Sequence, residues 1–486
     1  MSAPALEALE PALLWERFVE LTRIPRPPKQ EDEAREHVLT WAAEQGYETA
    51  VDEAGNVVVG VPASPGREGA DPVVLQSHLD MVCERDPESP FDPREGRINV
   101  VLEDDWVIAE GTTLGADNGI GVAAAMAAAV DDSVEHGPLE LLFTVSEEHG
   151  LEGAKALDPS LVVGRLLVNL DGGEEGITIG CAGSIHSFTR LPLTLEESPL
   201  PYVALEVRLS GARGGHSGGD IAAGRVNANR ALGRVLSRMA GAAPLRVALL
   251  EGGVSRNAIP RAARAVVAVP EDAEPDARSA ADAELARLRD QFASSDPDVE
   301  LAVERTRADR SASVATTRRL LDLIGAIPSG VIVMSPELSG VVETSSSLTV
   351  VATDDGVVTL GSMIRSANAE ALEDVAESMQ AIARLAGAEV QLRRSYPPWR
   401  PDLGSALLET ARGTWQRLFG SEPTLVVVHG GLECAVIGEK LPGVEMISIG
   451  PEIEGPHAPG ERLRISSTQR FYSLLGVLLH DLSQER

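Results

Sequence analysis

Successive apolar runs of this chain end in side chains that can hold a metal ion or move a proton. VVLQSHLD sets His78 and Asp80 two residues apart, a spacing that turns both side chains to one face of a strand with Leu79 opposite. TTLGADNGIGVAAAMAAAV puts Asp117 at the start of an Ala-rich helix. LLFTVSEEHG presents Glu147 and Glu148 side by side, LLVNLD ends at Asp171, and VEMISIGPEIEGPHAP carries His457 in a loop after a strand. Two imidazoles with several carboxylates suit zinc, manganese or cobalt better than calcium, which prefers oxygen throughout. One zinc takes three or four protein ligands, so the set exceeds a single ion. A pair of ions about 3.5–4 Å apart, bridged by a carboxylate and a water, would use all of it. Singly, each residue has a plainer reading: Asp at a helix start is commonly a cap, a Glu pair a solvated edge, and one His structural. Their recurrence at consecutive strand ends favours the metal.

Those strand ends imply the scaffold. Helical spacing links Leu6, Leu9, Leu13, Leu14, Phe18 and Leu21, and KQEDEAREHVLTWAAEQG ends at a capping Gly46. A hairpin around Asp52–Asn56 follows. Short apolar runs at 73–76, 139–145 and 165–170 then alternate with helical segments, which predicts an α/β domain around a mixed, largely parallel sheet flanked by helices. Ligands of such sheets gather where the strands end at their carboxyl side. Near residue 184 the texture changes to alternating strands such as YVALEVRLS and Arg-rich helices such as NANRALGRVLSRM; it reverts with LVVV at 425–428. The expected organisation is a catalytic domain made of 1–183 and 397–486, interrupted by an α+β domain at 184–396.

Composition excludes several partners. The 486 residues hold 42 basic and 74 acidic side chains, a formal charge of −32, with Lys only at 29, 155 and 440. Nucleic acid and anionic membranes both require clustered cations, so neither is expected. Cys83, Cys181 and Cys434 are too few for a disulfide framework or a Cys-rich zinc site; Cys181 and Cys434 read as buried packing. No basic start followed by an apolar run opens the chain, and Gly119–Val130 is too short to span a bilayer; a cytoplasmic location is expected. The Gly-rich GARGGHSGGDIAAG, centred on His216, lacks the Gly-Lys-Ser/Thr of a phosphate loop. No G-x-S-x-G elbow points to serine chemistry.

Ordered along the chain stand SHLDMVCE, GTTLGADNGIG, SEEHGLEGA, NLDGGEEGITIGCAG, GGHSGGDI, NAIPR, GVVETSSSL, MIRSANA, SYPPW, HGGLECA and GPHAPGER. This set resembles the co-catalytic zinc hydrolases that include carboxypeptidase G, aminoacylase and the bacterial di- and tripeptidases, and within them it is most similar to the branch acting on Xaa-His and other dipeptides. The resemblance implies two Zn2+ per chain, with Co2+ or Mn2+ as substitutes. Asp117 would bridge them, His78 and Asp171 would bind one, and Glu148 and His457 the other. Asp80, Glu147 and His216 would form the catalytic group: Asp80 orients His78, Glu147 is the general base, and His216 steadies the oxyanion, in the partner subunit's centre. The Asp117–Asn118 bond would be cis. Asn257 and Arg365 would hold the substrate backbone and carboxylate, the latter through the planar fork of the guanidinium; His429 and Glu433 would line a side-chain pocket. Small peptides would be the substrates and the inserted domain a lid and homodimer contact. A tripeptidase or an N-acyl-amino-acid amidohydrolase is the alternative within this chemistry. A non-catalytic metal- or peptide-binding protein is the alternative outside it, although every catalytic position is present.

Overall fold

The structure, a computed structural model, describes residues 6, 8–173, 176–199 and 201–484. Glu174 and Glu175 of the NLDGGEEG run, and residues 1–5 and 7 of the opening segment read for an export signal, lie outside these. Two compact units emerge: Met1–Gly180 with Pro401–Val427 and Leu432–Arg486, and Cys181–Arg400 with Val428–Gly431. Among the described residues no helix is long and apolar enough to cross a membrane.

The first unit is built on an eight-stranded sheet. Its order is Glu48–Val51, Val57–Val61, Leu139–Thr144, Val73–His78, Leu166–Asn169, Glu445–Ser448, Gly176–Cys181 and Thr424–Val428. The four central strands, from Leu139–Thr144 to Glu445–Ser448, run parallel, and antiparallel neighbours flank them. All six residues of Val73–His78 are buried, as expected of a parallel strand covered on both faces. Their β-branched and Leu side chains fit that pleated environment. Helix Ala116–Ala128 is buried along nearly its whole length; the alanines let it lie close to the sheet. It is irregular at Asp117 and Asn118, and the peptide between them is cis.

The first helix begins at Ala12 rather than at Leu6. Pro11 precedes it and disfavours helical geometry in the residue before it, so Leu6 and Leu9 sit in a turn. Helix Asp32–Gln45 ends as expected at Gly46, which adopts a left-handed φ of 75°.

The second unit carries an antiparallel sheet of two like halves. In chain order, Tyr202–Ser210, Arg246–Gly252, Ala263–Pro270 and Glu300–Thr306 form one half with helices Ala228–Ala242 and Glu274–Gln291. Gly183–Pro192, Val342–Asp354, Val357–Ser366 and Glu389–Tyr396 form the other with helices Val314–Ala326 and Ala369–Ala386. Each half orders its strands fourth, first, third, second, and the two second strands meet at Gly252 and Val351. One half is thus nested between the first strand and first helix of the other. The helices bury Leu232, Leu236, Leu320 and Met379 against this sheet in one core.

Two loops of the first unit touch through glycines. Gly172 donates its N–H to the Ile449 carbonyl at 3.1 Å, and a Cβ on Gly450 would lie 2.1 Å from the Gly172 oxygen. Backbone on backbone leaves nothing to rotate away. G450A should therefore cost about 1–3 kcal/mol, read as a lower thermal midpoint.

Candidate metal centre

Asp117 stands between two imidazoles. Its Oδ1 is 3.1 Å from His78 Nε2, and its Oδ2 is 3.2 Å from His457 Nε2. His78 Nε2 also lies 3.9 Å from Asp171 Oδ1, while His457 Nε2 lies 2.8 Å from Glu148 Oε1. The two oxygens of one carboxylate therefore face separate donor groups, His78 with Asp171 and His457 with Glu148. Atoms of His78, Asp117 and Glu148 lie within 4.8 Å of one another and together can hold a cation. The donor set fits a metal. It is nitrogen and oxygen only, and Glu148 Oε1 is buried without a well-aligned hydrogen bond from the protein.

Each side chain is aimed by its element. His78 closes the strand Val73–His78, and Asp117 projects from the irregular first turn of the Ala-rich helix. Glu147 and Glu148 follow the neighbouring strand Leu139–Thr144, and Asp171 follows Leu166–Asn169. His457 sits in a turn with φ 65°, and Ser146, just before Glu147, has φ 51°. Such left-handed non-glycine backbone costs energy and gathers at functional sites.

Hydrogen bonds to backbone hold these turns. His78 Nδ1 lies 3.1 Å from the Asp80 carbonyl and 3.4 Å from its Oδ1. A proton on Nδ1 satisfies both and leaves Nε2 as the free donor atom. The Asp80 carboxylate also fastens a second turn, its two oxygens accepting the N–H groups of Glu147 and Glu148 at 2.9 and 3.0 Å. Asn118 Oδ1 accepts the His78 N–H, and its amide donates to the Leu170 carbonyl.

Three positioning residues carry no assignment from sequence. Glu461, 2% exposed, accepts the N–H groups of Leu114, Gly115, Ala116 and Asp117 at 2.7–3.3 Å. Arg26, 1% exposed, donates to the carbonyls of Leu79, Asp80 and Gly115. Glu31 accepts the N–H and hydroxyl of Ser146. Glu461 and Asn118 lie inside the motifs GPHAPGER and GADNG, which could have marked them. Arg26 had no signal beyond a charge among prolines.

Electrostatics follow from crowding. Burial, with Glu433, Glu148 and Asp117 nearby, pushes Glu147 up to about 8 despite the pull of His78. Burial and the Asp117 charge raise Asp171 well above the carboxylate range. Bonds to Asp117 and Glu148 lift His457 to about 10. For His78 burial opposes the charge, yet Asp117 and Asp80 raise it well above an ordinary histidine. Burial raises Asp117's pKa less than the two histidines lower it, so it stays ionised. The cluster holds more carboxyl groups than its two histidines could balance if all were ionised, so burial favours protons on Glu147 and Asp171, and a divalent cation would stabilise the ionised forms.

Glu433 belongs to this unit and is 1% exposed. It accepts hydrogen bonds from Gln76 Nε2 at 2.6 Å and Thr144 Oγ1 at 2.7 Å. Burial raises it to about 7. Cys434 is buried, as are Cys83 and Cys181.

His216, Asn257, Arg365 and His429 lie in the second unit. His216 is exposed; its Nδ1 accepts the N–H groups of Gly218 and Gly219 at 3.3 and 3.1 Å. The proton is therefore on Nε2, which is free to donate. Burial and Arg365 lower its pKa, so the ring is neutral at pH 7. Asn257 ties to the same turn, its carbonyl accepting from Ser217 at 2.7 Å. Arg365 is 3% exposed and donates to the Tyr396 hydroxyl, while its Nε is buried without a partner. His429 Nε2 is 2.7 Å from Ser345 Oγ; burial, Arg365 and His216 depress it to about 4.

Residues 74–481 match Peptidase family M20/M25/M40. The chain belongs to this family. As an M20 peptidase it is a hydrolase of peptide bonds. The cytosol non-specific dipeptidase of Escherichia coli strain K12 is 38% identical over 479 residues, covering 98% of this chain and 99% of that one. The crystal structure of aminoacylhistidine dipeptidase from Vibrio alginolyticus matches with a TM-score of 0.91 at 36% identity, over 98% of this chain and 97% of the other. Aminopeptidase PepT of Bacillus cereus, at 18% identity and a TM-score of 0.56 over 97% and 98% of the two chains, shares the fold.

Metal binding requires neutral imidazoles and ionised carboxylates. With His78, His457, Glu147 and Asp171 all raised, loading the M20 centre at pH 7 should release protons, and affinity should fall as pH drops. Calorimetry in buffers of different ionisation enthalpy reads the release directly; binding heats independent of buffer would contradict it.

Proposed function

We propose that the protein is a metal-dependent dipeptidase that uses two zinc ions, for which Co2+ or Mn2+ can substitute, on short peptides including Xaa-His. The observation that carries the reading is Asp117, whose two oxygens face two separate imidazole–carboxylate groups. Similarity across the full length of two relatives named dipeptidases supports the substrate class. The relative named a cytosol dipeptidase likewise supports a cytoplasmic location.

His78 and Asp171 would hold one ion, Glu148 and His457 the other, with Asp117 shared. When bound, the ions would acidify a water and polarise the scissile carbonyl. Glu147 takes the proton of the attacking water as its oxygen bonds to the carbonyl carbon. The same carboxyl then returns the proton to the departing amine nitrogen as the C–N bond breaks, leaving two amino acids. A pKa raised by burial suits a group that must both accept and give up a proton near neutrality. Asp80 holds the backbone of Glu147 and the ring of His78 at once. His216 donates from Nε2 to the developing oxyanion, Asn257 holds the substrate backbone, and Arg365 takes the terminal carboxylate through its unpartnered edge. His429, fastened to Ser345, and Glu433 would line the side-chain pocket.

E147Q should retain its metal while kcat falls at least 100-fold; metal analysis beside turnover of Gly-His and β-Ala-His checks this, and retained activity would remove Glu147 from the role. A tripeptide and an N-acetyl amino acid in the same panel should be poor substrates.

The insert, expected at 184–396, is also proposed as lid and homodimer contact, with His216 serving the partner's centre. The strand Gly330–Met334 supports the contact. Among the described residues it pairs only with Val342–Asp354, and it exposes Val331, Ile332, Val333 and Met334, an edge that a second copy can cover. Light scattering should give twice the 51.3 kDa chain mass, and I332K should halve it. Mixing H216A with E147Q should restore part of the activity; no restoration would place His216 in its own chain's centre.

A further inference from the structure

The face of the second unit's sheet turned away from its helices carries an unbalanced cationic cluster. Along Gly183–Pro192, alternate residues Ser184, His186 and Phe188 point to this face, because Ile185 faces the core. Arg365 lies opposite Ser184 on one neighbouring strand, and Arg393 lies opposite His186 on the other. The guanidinium of Arg393 is 5.5 Å from the Phe188 ring centre, and that of Arg256 is 5.4 Å from the same ring. His186 stacks on Phe188 with ring centres 6.2 Å apart. Arg256, Arg365 and Arg393 all depress its pKa, after burial.

Three guanidinium groups thus surround one neutral imidazole. Among the described residues none of the three forms an ion pair, whereas Arg394, next in sequence but on the other face, is paired to Glu373. In a chain with 74 acidic residues and 42 basic ones, three neighbouring guanidiniums without a paired carboxylate are not the default. Arg256 and Arg393 are held instead by the face of Phe188, an interaction that fixes a guanidinium while leaving its N–H edge open. Arg365 adds a buried Nε with no acceptor. Arg256 directly precedes Asn257, so the patch adjoins the residues proposed to hold the substrate.

We propose that Arg256 and Arg393, held on Phe188, form a second carboxylate subsite beside Arg365, so that dipeptides with an acidic C-terminal residue are preferred. This rests on the dipeptidase reading. Arg365 takes the terminal carboxylate, and the Arg256–Arg393 pair takes that of the Asp or Glu side chain. A guanidinium–carboxylate contact is among the stronger hydrogen-bonded pairs, and a charge-assisted contact that the acid makes and its amide loses gives discrimination of about tenfold.

The test compares kcat/KM for Ala-Glu with that for the isosteric Ala-Gln, with Ala-Ala as reference, in the zinc-loaded enzyme. The wild type should favour Ala-Glu about tenfold, less so at high salt. R256Q and R393Q should each bring the ratio close to one, mainly through KM, and R393E should shift preference towards Ala-Lys. Both arginines are exposed, so folding is not at stake; metal content and melting temperature confirm that. A wild-type ratio at or below one, or a ratio unmoved in both variants, overturns the subsite while leaving the dipeptidase standing. Failure to hydrolyse any of the dipeptides overturns both together.

Discussion

The molecule depends on a concentration of buried carboxyl groups around Asp117. Glu147, Glu148, Asp171 and Glu433 crowd one region of the first unit with only two imidazoles among them. Burying like charges together is among the most expensive arrangements a fold can contain. The protein lowers that cost with N–H donors and arginine, and the balance calls for a cation. Asp117 is where these demands meet. One of its oxygens answers His78 and the other His457, so any rotation of its carboxylate weakens both sides at once.

That sensitivity explains why so many interactions act on backbone rather than on the ligands. Glu461 holds four consecutive N–H groups leading into Asp117, and Arg26 holds the carbonyls of Leu79, Asp80 and Gly115. Asp80 spans from the His78 turn to the Glu147–Glu148 turn. A peptide bound at both its N–H and C=O has little freedom left, and its side chain inherits that precision. The second unit uses the same device for His216, whose Nδ1 is occupied by two peptide N–H groups. Backbone thereby decides a tautomer, and with it which nitrogen can donate.

The two units differ in electrostatic character. The first concentrates carboxylates; the second presents Arg256, Arg365 and Arg393 with neutral His186 on one sheet face. An overall charge of −32 describes neither. Charge in this protein is informative by location, since interactions between exposed groups fade beyond about 10 Å in salt.

Much of this was readable along the chain. The placement of His78, Glu148, Asp171 and His457 after strands, and of Asp117 at a helix start, follows from local pattern: short apolar runs, their length, and the polar residue that follows each. So do the Gly46 cap and the Asp52–Asn56 hairpin, because a turn is set by neighbouring residues. Pro11 was an equally local signal, and it moved the first helix start to Ala12 against the spacing of the leucines. Tertiary structure decided what depends on contacts between distant segments. Glu461 binds peptide groups 344 to 347 residues away, Glu433 meets Gln76 and Thr144 inside the sheet, and Arg26 reaches turns that local pattern never associates with it. Hydrogen bonding is short-ranged in space but indifferent to position in the chain; the sequence names the donors and acceptors, and only the fold selects which of them meet.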